Sequence, residues 1–214
     1  MTPTPRSTVK TFVQARMSSS RFPGKVLAPL NGKPVLAHLI DRLKAGVPVE
    51  AIVVATSDHR SDDPLAVYAT TLGVQVFRGP LDNVFERFRL CLERYPCDWF
   101  YRISADSPLM DGSLLARLAE KADKDVDLVT NVFPRSFPKG HSAELLNSER
   151  FARLDPVLLS AEEQEHLTKV YYNHPGRFRI VNIPSGDPSR ATINYCVDTL
   201  EDLRRLEATE VESR

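Results

Sequence analysis

Three cations and three consecutive serines lie within the twelve residues 14–25, which read Gln-Ala-Arg-Met-Ser-Ser-Ser-Arg-Phe-Pro-Gly-Lys. The stretch follows an apolar run, 9–13, that predicts a buried strand. Arginine and lysine suit phosphate oxygens, and a loop rich in serine and glycine presents backbone N–H groups to an anion. A cation about 4 Å from a phosphate charge is worth roughly 4 kcal/mol at an effective dielectric constant of 20. The loop therefore predicts a polyphosphate cradle carried by Arg16, Arg21 and Lys25; the competing interpretation is a solvated basic loop.

The loop matches neither of two common nucleotide-binding motifs. A Walker A loop needs an earlier glycine that is missing before Gly24-Lys25, and Val26 stands where serine or threonine would contact Mg²⁺. The loop also lacks the Gly-x-Gly-x-x-Gly pattern of dinucleotide-binding proteins. A phosphate site built on this loop must therefore be completed by residues from elsewhere in the chain.

Two aspartates follow predicted strands and could complete such a site. Asp106 comes after the predicted strand 99–104, and Asp198 comes after the predicted strand 193–197. Ligands of an open α/β sheet bind at the carboxyl ends of the strands. Mg²⁺ takes one or two carboxylates together with substrate phosphates and waters, so the pair predicts a magnesium site facing a triphosphate. Each aspartate also precedes a predicted helix, so helix capping is the competing interpretation, and it is stronger for Asp198.

The histidines predict no metal site. His166 and His174 are eight residues apart, and no His-Glu-x-x-His motif occurs. His166 falls on a predicted helix. It either contacts a polar acceptor or is a packed histidine at the protein surface.

Strands alternate with helices over residues 9–130, which predicts a mostly parallel sheet with right-handed crossovers. Asp58 and Arg78 fall at the carboxyl ends of the second and third strands, and Asp82 follows in the next loop. We expect all three at the same edge of the sheet as the cradle. The predicted strands span 9–14, 51–55, 74–77, 99–104 and 128–130, and the predicted helices span 64–72, 84–94 and 111–124, after a first helix that starts near Pro34 and ends before Gly46.

Proline becomes frequent between 131 and 188, and the alternation weakens. We interpret this stretch as a lid or acceptor-side subregion within a single domain that spans 9–206. It predicts helices at 148–154 and 162–173 and a strand at 178–183, followed by the last strand, 193–197, and a terminal helix, 201–208. Residues 1–8 and 209–214 are expected to be flexible termini.

Composition excludes several classes of protein. The 214 residues carry a formal net charge of zero, which argues against binding nucleic acid or an anionic membrane through bulk charge. Cys91, Cys97 and Cys196 form neither a disulfide framework nor a paired metal-thiolate motif, which favours a cytoplasmic protein. No apolar run approaches a membrane span of roughly 18–20 residues, and the polar N-terminus shows no signal-peptide core.

Several motifs, in their order and spacing, carry a family resemblance. They are Gln14-Ala15-Arg16-Met17 with Arg21 and Pro23-Gly24-Lys25-Val26-Leu27, then Val54-Ala55-Thr56-Ser57, Arg78-Gly79, Asn83-Val84-x-x-Arg87-Phe88, Asp106-x-Pro108-Leu109 and Val197-Asp198-Thr199-x-x-Asp202-Leu203, with weaker matches at Phe137-Pro138-x-Gly140 with Glu144 and at Glu165-His166-x-Thr168. Together they resemble the cytidylyltransferases of the nucleotide-diphospho-sugar transferase superfamily. The resemblance is closest to the spore-coat polysaccharide biosynthesis type, which is related to the CMP-KDO and acylneuraminate cytidylyltransferases.

The resemblance implies a Rossmann-like three-layer α/β/α fold with a mostly parallel mixed sheet. It also implies Mg²⁺-dependent transfer of CMP from CTP to an acidic sugar, with release of pyrophosphate. The acceptor would be a 2-keto-3-deoxy or nonulosonic acid. Because related synthetases pair through the region that corresponds to 131–180, a homodimer is expected.

The resemblance further implies roles for individual residues. Arg16, Arg21 and Lys25 would bind the triphosphate, and Asp106 and Asp198 would ligate Mg²⁺, with Arg16, Lys25 and Asp106 as the catalytic residues. The remaining substrate-binding residues would be Gln14, Ala15, Asp58, Arg78 and Asp82 on the nucleotide side and Glu144, Glu165 and His166 on the acceptor side.

Five positions depart from the family pattern, namely Ala105, Ser142, Gln164, Asn194 and Cys196. They leave the nucleotide side intact and alter the acceptor side, so the acceptor stays open. One alternative function is transfer of CMP or another nucleotidyl group to a small non-sugar acceptor, such as a phosphonate or polyol phosphate. The other is a catalytically silent nucleotide-binding module on the same fold.

Overall fold

Nine strands occur in the computed structural model, which describes residues 7–212. In chain order they are β1 (Val9–Gln14), β2 (Pro29–Leu30), β3 (Lys33–Pro34), β4 (Ile52–Ser57), β5 (Gln75–Gly79), β6 (Trp99–Ser104), β7 (Leu128–Thr130), β8 (Glu144–Asn147) and β9 (Ile180–Asn182). Strands β2 and β3 form a small hairpin, and the other seven form one sheet in the order β5-β4-β1-β6-β8-β7-β9.

The sheet is mixed but mostly parallel, as predicted. Strand β8 runs antiparallel to both β6 and β7, and the remaining neighbours pair in parallel. Strand β1 lies between β4 and β6, where Gln14 is in register with Ala55 on one side and with Ser104 on the other. The carboxyl ends of these three strands therefore meet at one edge of the sheet.

Helices cover both faces of the sheet and complete the three layers. They are α1 (Val35–Lys44), α2 (Asp63–Thr71), α3 (Val84–Arg94), α4 (Ser113–Ala119), α5 (Ser148–Ala152), α6 (Ala161–Glu165), α7 (Lys169–Asn173) and α8 (Leu200–Glu212). Apolar side chains of α1, α2 and α4 pack on one face, and those of α3, α5 and α7 pack on the other. In the part of the chain that the structure describes, no helix is both long and apolar enough to cross a membrane.

An aromatic cluster fills the face covered by α3, α5 and α7. Phe100 of β6 lies with its ring centroid 5.1 Å from that of Phe12 and 5.2 Å from that of Phe151, and Phe88 of α3 packs against both Phe12 and Phe100. All four side chains are fully buried. The cluster joins β1 and β6 to their covering helices and so fixes the two strands that lead to the site.

A separate apolar cluster holds α8 against the hairpin. Leu203 and Leu206 of α8 pack with Leu30 of β2, Val35 of α1 and Val197. The packing places residue 198, which lies two positions before α8, next to the loop that precedes the hairpin.

The prediction of a strand at 193–197 was wrong. The segment joins no sheet beyond one isolated bridge between Lys139 and Asn194. Its backbone is satisfied locally, because the side chain of Asn194 accepts the N–H of Cys196 at 3.0 Å and the carbonyl of Asp106 accepts the N–H of Val197 at 2.8 Å. Strand β8, in contrast, was not predicted. All four of its residues are buried, so its sequence shows no alternation of polar and apolar positions.

The predicted helix 162–173 is two helices, α6 and α7, separated at His166. The backbone of His166 has φ −116° and ψ 81°, outside the helical region, and it caps α6. Helix α6 begins with a capping box in which Ser160 and Glu163 exchange hydrogen bonds. The break puts His166 at a helix end instead of on a helix face.

Several predicted boundaries also differ. The predicted helix 111–124 is confined to α4, and the predicted strand 178–183 is confined to β9. Thr8, expected to be flexible, exchanges backbone and side-chain hydrogen bonds with Asp98, and α8 continues to residue 212. The rest of the predicted flexible termini, residues 1–6 and 213–214, lies outside the described residues.

We predict that Phe100→Ala lowers the free energy of unfolding by about 3–5 kcal/mol, because it leaves a cavity among three buried aromatic rings. Urea denaturation of the variant and the wild type measures the difference. Val67→Ala is the matched control, because Val67 is 67% exposed and its truncation should change stability by less than about 0.5 kcal/mol. Equal effects of the two substitutions would contradict the packing described here.

Candidate active site

The loop after β1 turns back on itself before it reaches the hairpin. The N–H groups of Ser19 and Gly24 both donate to the carbonyl of Met17, at 2.9 Å and 2.8 Å. Gly24 has φ +75°, a conformation that glycine adopts without steric cost. The turn returns Lys25 to the carboxyl end of β1, close to where the loop began.

A buried aspartate anchors this loop to the neighbouring strand. Asp62 has no exposed surface and accepts the N–H of Met17 at 2.8 Å, the hydroxyl of Thr56 at 2.9 Å, and both the N–H and the hydroxyl of Ser57 at 3.0 Å and 2.5 Å. Burial alone would raise the pKa of Asp62, but the hydrogen bonds from Ser57, Met17 and Thr56 outweigh it and leave the pKa lowered. The carboxylate is therefore ionised at neutral pH and fixes the start of the loop.

Lys25 links the two aspartates that were predicted to ligate a metal. Its Nζ lies 2.8 Å from Asp106 Oδ2 and 2.8 Å from Asp198 Oδ1. Burial alone would lower the pKa of Lys25, but Asp106 first and then Asp198 outweigh it and leave the pKa raised. Arg21 adds a second cation, with Nη2 3.1 Å from Asp198 Oδ1. Residues more than 80 positions apart thus form one cluster of charges.

The two carboxylates suit a divalent cation of the Mg²⁺ type. Their oxygens converge on a single point, which the Lys25 ammonium takes in this structure. The described residues contain no group of three or more His, Cys, Asp or Glu side chains placed to hold a metal. Two carboxylates with the remaining ligands supplied by phosphates and water is the arrangement that Mg²⁺ commonly takes.

Arg16 and His166 extend the cluster toward the second half of the chain. The Arg16 guanidinium lies 3.5 Å from the carboxylate of Glu165, and both side chains are partly exposed. His166 follows directly, at the break between α6 and α7. The first loop of the sheet therefore meets the predicted acceptor-side subregion through these three residues.

These groups surround a cleft of about 260 Å³ at the carboxyl ends of the strands. The residues that line it are Gln14, Ala15, Arg16, Ser19, Ser20, Arg21, Lys25, Val26, Arg102, Ser104, Ala105, Asp106, His166 and Asp198. A larger cavity of about 750 Å³ opens at the amino ends of β1 and β6. We assign the site to the smaller one, because it collects the predicted cations and carboxylates at the sheet edge where such sheets bind ligands.

Comparison with known proteins decides the family. The sequence profile of the cytidylyltransferases matches residues 11–211. The chain belongs to the cytidylyltransferase family. It is 30% identical over 206 residues to the spore coat polysaccharide biosynthesis protein SpsF of Bacillus subtilis, covering 92% of this chain and 84% of that protein.

Two solved structures resemble this cytidylyltransferase. A cytidylyltransferase from Leptospira borgpetersenii superposes with a TM-score of 0.91 and 27% identity, over 96% of this chain and 87% of that one. A CMP:2-keto-3-deoxy-manno-octonic acid synthetase, solved in complex with CTP, superposes with a TM-score of 0.73 and 18% identity, over 97% of this chain and the whole of the other. The second likeness concerns the fold, which is that of the nucleotide-diphospho-sugar transferases.

Five predicted substrate-binding residues of the cytidylyltransferase do not line the cleft. Arg78 donates to the backbone carbonyls of Ser57 and His59, which are 2.9 Å and 3.0 Å away, so it holds the turn after β4. The other four are Asp58, Asp82, Glu144 and Glu165, of which Glu165 contacts the lining residue Arg16. The Glu144 side chain is only 4% exposed, because it lies inside the sheet and binds Arg102 and Tyr172.

Arg102 and Ser104 line the cleft and were missed in the sequence. Both lie on β6, as does Phe100. Apolar residues of the opposite face alternate with these three positions along the strand, so the side chains of all three point toward α3 and α7. An arginine inside an otherwise apolar strand was the signal that could have found this group.

A third missed residue is Arg87 on α3. Its side chain is fully buried, it donates to the carbonyls of Pro80 and Leu81, and its Nε and Nη2 have no partner among the described residues. Burial and the nearby charge of Arg16 lower the pKa of Arg87 to about 10. Arg87 thus fixes the loop 80–83 from beneath without reaching the cleft.

We predict that Asp62→Asn lowers the free energy of unfolding by about 1–3 kcal/mol at pH 7, because an amide nitrogen then faces N–H and hydroxyl donors. The pKa of Asp62 is lowered on folding, so its contribution is complete above the ordinary aspartate pKa of about 3.9 and is lost as pH falls below it. The stability difference between wild type and variant should therefore shrink as pH falls below about 4. Chemical denaturation across this range tests it, and a difference independent of pH would contradict it.

Proposed function

We propose that this cytidylyltransferase transfers CMP from CTP to an acidic sugar of the 2-keto-3-deoxy or nonulosonic type and releases pyrophosphate, with Mg²⁺ as cofactor. One observation supports this most: Lys25 and Arg21 contact a pair of converging carboxylates at the carboxyl edge of the sheet, and Arg16 of the same loop lines the same cleft. The cations match the charge of a triphosphate, and the carboxylates match a hard divalent cation. The CTP complex of the synthetase with the same fold supports the choice of nucleotide.

The reaction would be an in-line displacement at the α-phosphorus. A hydroxyl oxygen of the acceptor forms the new P–O bond, the bond to the β-phosphate breaks, and pyrophosphate leaves with the electron pair while the hydroxyl proton passes to solvent or to a neighbouring group. Arg16, Arg21 and Lys25 would bind the triphosphate and stabilise the charge that collects on pyrophosphate. Binding would require Lys25 to exchange its two carboxylate partners for phosphate oxygens.

Asp106 and Asp198 are the residues that would hold Mg²⁺. The bound ion would neutralise phosphate charge and orient the α-phosphate. Rv0371C of Mycobacterium tuberculosis, a protein of the same fold at 15% identity, has been solved in complex with manganese, which supports a divalent cation in this fold.

Gln14 and Ala15 line the cleft at the end of β1 and are proposed to contact the nucleoside. The proposed role of Arg78 is reduced to holding the rim of the nucleoside site, and Asp58 and Asp82 would complete that rim. Glu165 and His166 are proposed to face the acceptor, because they lie beside Arg16 on the far side of the cleft.

Most of the residues that depart from the family pattern make contacts with other parts of the protein. Gln164 binds Asn83 at 2.9 Å and the backbone of 156 and 159, and the Asn194 side chain binds the N–H of Cys196. Burial and Asp106 raise the pKa of Cys196 to about 12, so its thiol is neutral. These contacts favour no acceptor other than an acidic sugar, and the intact charge cluster counts against a silent module.

A screen for pyrophosphate release with each of four nucleoside triphosphates and a panel of sugar acids, phosphonates and polyol phosphates tests the proposal. We expect release with CTP, Mg²⁺ and a sugar acid. Release with a non-sugar acceptor would favour the first alternative, and a thermal midpoint raised by CTP with Mg²⁺ but no pyrophosphate release with any acceptor would favour the silent module.

We predict that Asp106→Asn lowers turnover by about 10²–10³-fold, as loss of a preorganised electrostatic group does elsewhere. Asp41→Asn is the matched control, because Asp41 is exposed on α1 and pairs with Lys33 away from the cleft. Steady-state pyrophosphate release measures both variants. Undiminished turnover by Asp106→Asn would refute its assignment as a metal ligand.

A homodimer through 131–180 stays a prediction. Val157 and Leu158, adjacent in this region, are 87% and 73% exposed, which supports an interface there. Sedimentation equilibrium would measure the oligomeric state.

A further inference from the structure

Arg102 occupies the floor of the cleft. It lies on β6 two residues before the strand ends, and its side chain is 21% exposed where it lines the cleft with Ser104 and His166. The cradle cations Arg16 and Lys25 come instead from the loop after β1. Arg102 is therefore a fourth cation of the site, carried by a rigid strand.

Three contacts fix the orientation of its guanidinium. Nε and Nη2 donate to Gln14 Oε1 at 3.1 Å and 2.7 Å, and Nη1 donates to Glu144 Oε2 at 3.2 Å. A guanidinium carries five N–H groups. One N–H on each terminal nitrogen of Arg102 thus has no acceptor among the described residues. Paired N–H groups on the two terminal nitrogens match the two oxygens of a carboxylate.

Glu144 serves to hold Arg102 and is not free to bind substrate. Its carboxylate is almost fully buried, and its second oxygen accepts the hydroxyl of Tyr172 at 2.5 Å. Burial and the charge of Glu144 raise the pKa of Tyr172, so the hydroxyl keeps its proton and remains a donor. Thr130 contacts the same hydroxyl at 2.9 Å. Arg102 therefore has a fixed countercharge and two N–H groups without an acceptor among the described residues, which supports an anion subsite beside it.

We propose that Arg102 receives the carboxylate of the acceptor and so makes the enzyme select acids over neutral sugars. The inference rests on the proposed function and adds the residue that reads the acid. The three cations of the loop already match the triphosphate charge, and Arg102 is the one further cation among the described residues that line the cleft.

The test compares wild type, Arg102→Met and Arg102→Lys with three probes: CTP alone, 2-keto-3-deoxy-manno-octonic acid, and the C1 carboxamide of the same sugar. We expect wild type to use the acid at least about 10²-fold better than the amide in kcat/KM, since a desolvated charge pair is lost with the amide. Arg102→Met should lower kcat/KM for the acid about 10²-fold, mainly through KM, and change that for the amide less than threefold. Arg102→Lys should recover part of the discrimination, because lysine restores the charge without the fork.

CTP binding, followed by calorimetry, separates this inference from the proposed function. Arg94→Met removes an exposed arginine at the end of α3 and should leave every measured value unchanged. Equal losses for acid and amide in Arg102→Met, a parallel loss of CTP affinity, or a wild type that binds CTP but does not prefer the acid would each overturn the inference. A wild type that does not bind CTP would instead remove the proposed function, and this inference with it.

Discussion

The ion cluster of Lys25, Asp106 and Asp198 is the contact on which the site depends. It joins the loop after β1, the end of β6 and the segment before α8, which are far apart in the chain. One ammonium contacts both carboxylates in a partly enclosed cleft, and Arg21 supplies the second cation beside Asp198. It also means that a nucleotide with its metal must replace a contact that already exists, so part of the binding free energy is spent on opening the cluster.

Packing and hydrogen bonds hold the segments that carry the charged residues of the cluster. Asp62 fixes the start of the cradle loop, and the apolar contacts of Leu203 and Leu206 fix the start of α8. Asp202 adds a local support, because its carboxylate accepts the N–H groups of Asp198 and Thr199. The charged side chains therefore stay close together in the absence of ligand, because rigid elements position them.

The sequence was sufficient for the parts of the molecule that depend on local pattern. The alternation of strands and helices predicted the layers and the central strand β1, and strand-end positions predicted that Asp106 would meet the cradle. The encounter with Asp198 was also predicted, but through a strand that does not exist. Its real cause is the packing of Val197 and α8 against the hairpin, a contact between distant residues that no local period encodes. The pairing of Arg102 with Glu144 was not predicted for a similar reason: it depends on the register of β8 against β6, and β8 has no sequence period to reveal it.

The most direct measurement is the binding of Mn²⁺ by wild type and Lys25→Met, with and without CTP, followed by the electron paramagnetic resonance signal of the free ion. If Lys25 takes the point on which Asp106 and Asp198 converge, wild type should bind Mn²⁺ weakly alone and at least about tenfold more tightly with CTP. Lys25→Met should bind Mn²⁺ more tightly than wild type in the absence of nucleotide, because no ammonium competes for the two carboxylates. Equal Mn²⁺ affinity in both proteins, unaffected by CTP, would contradict the account.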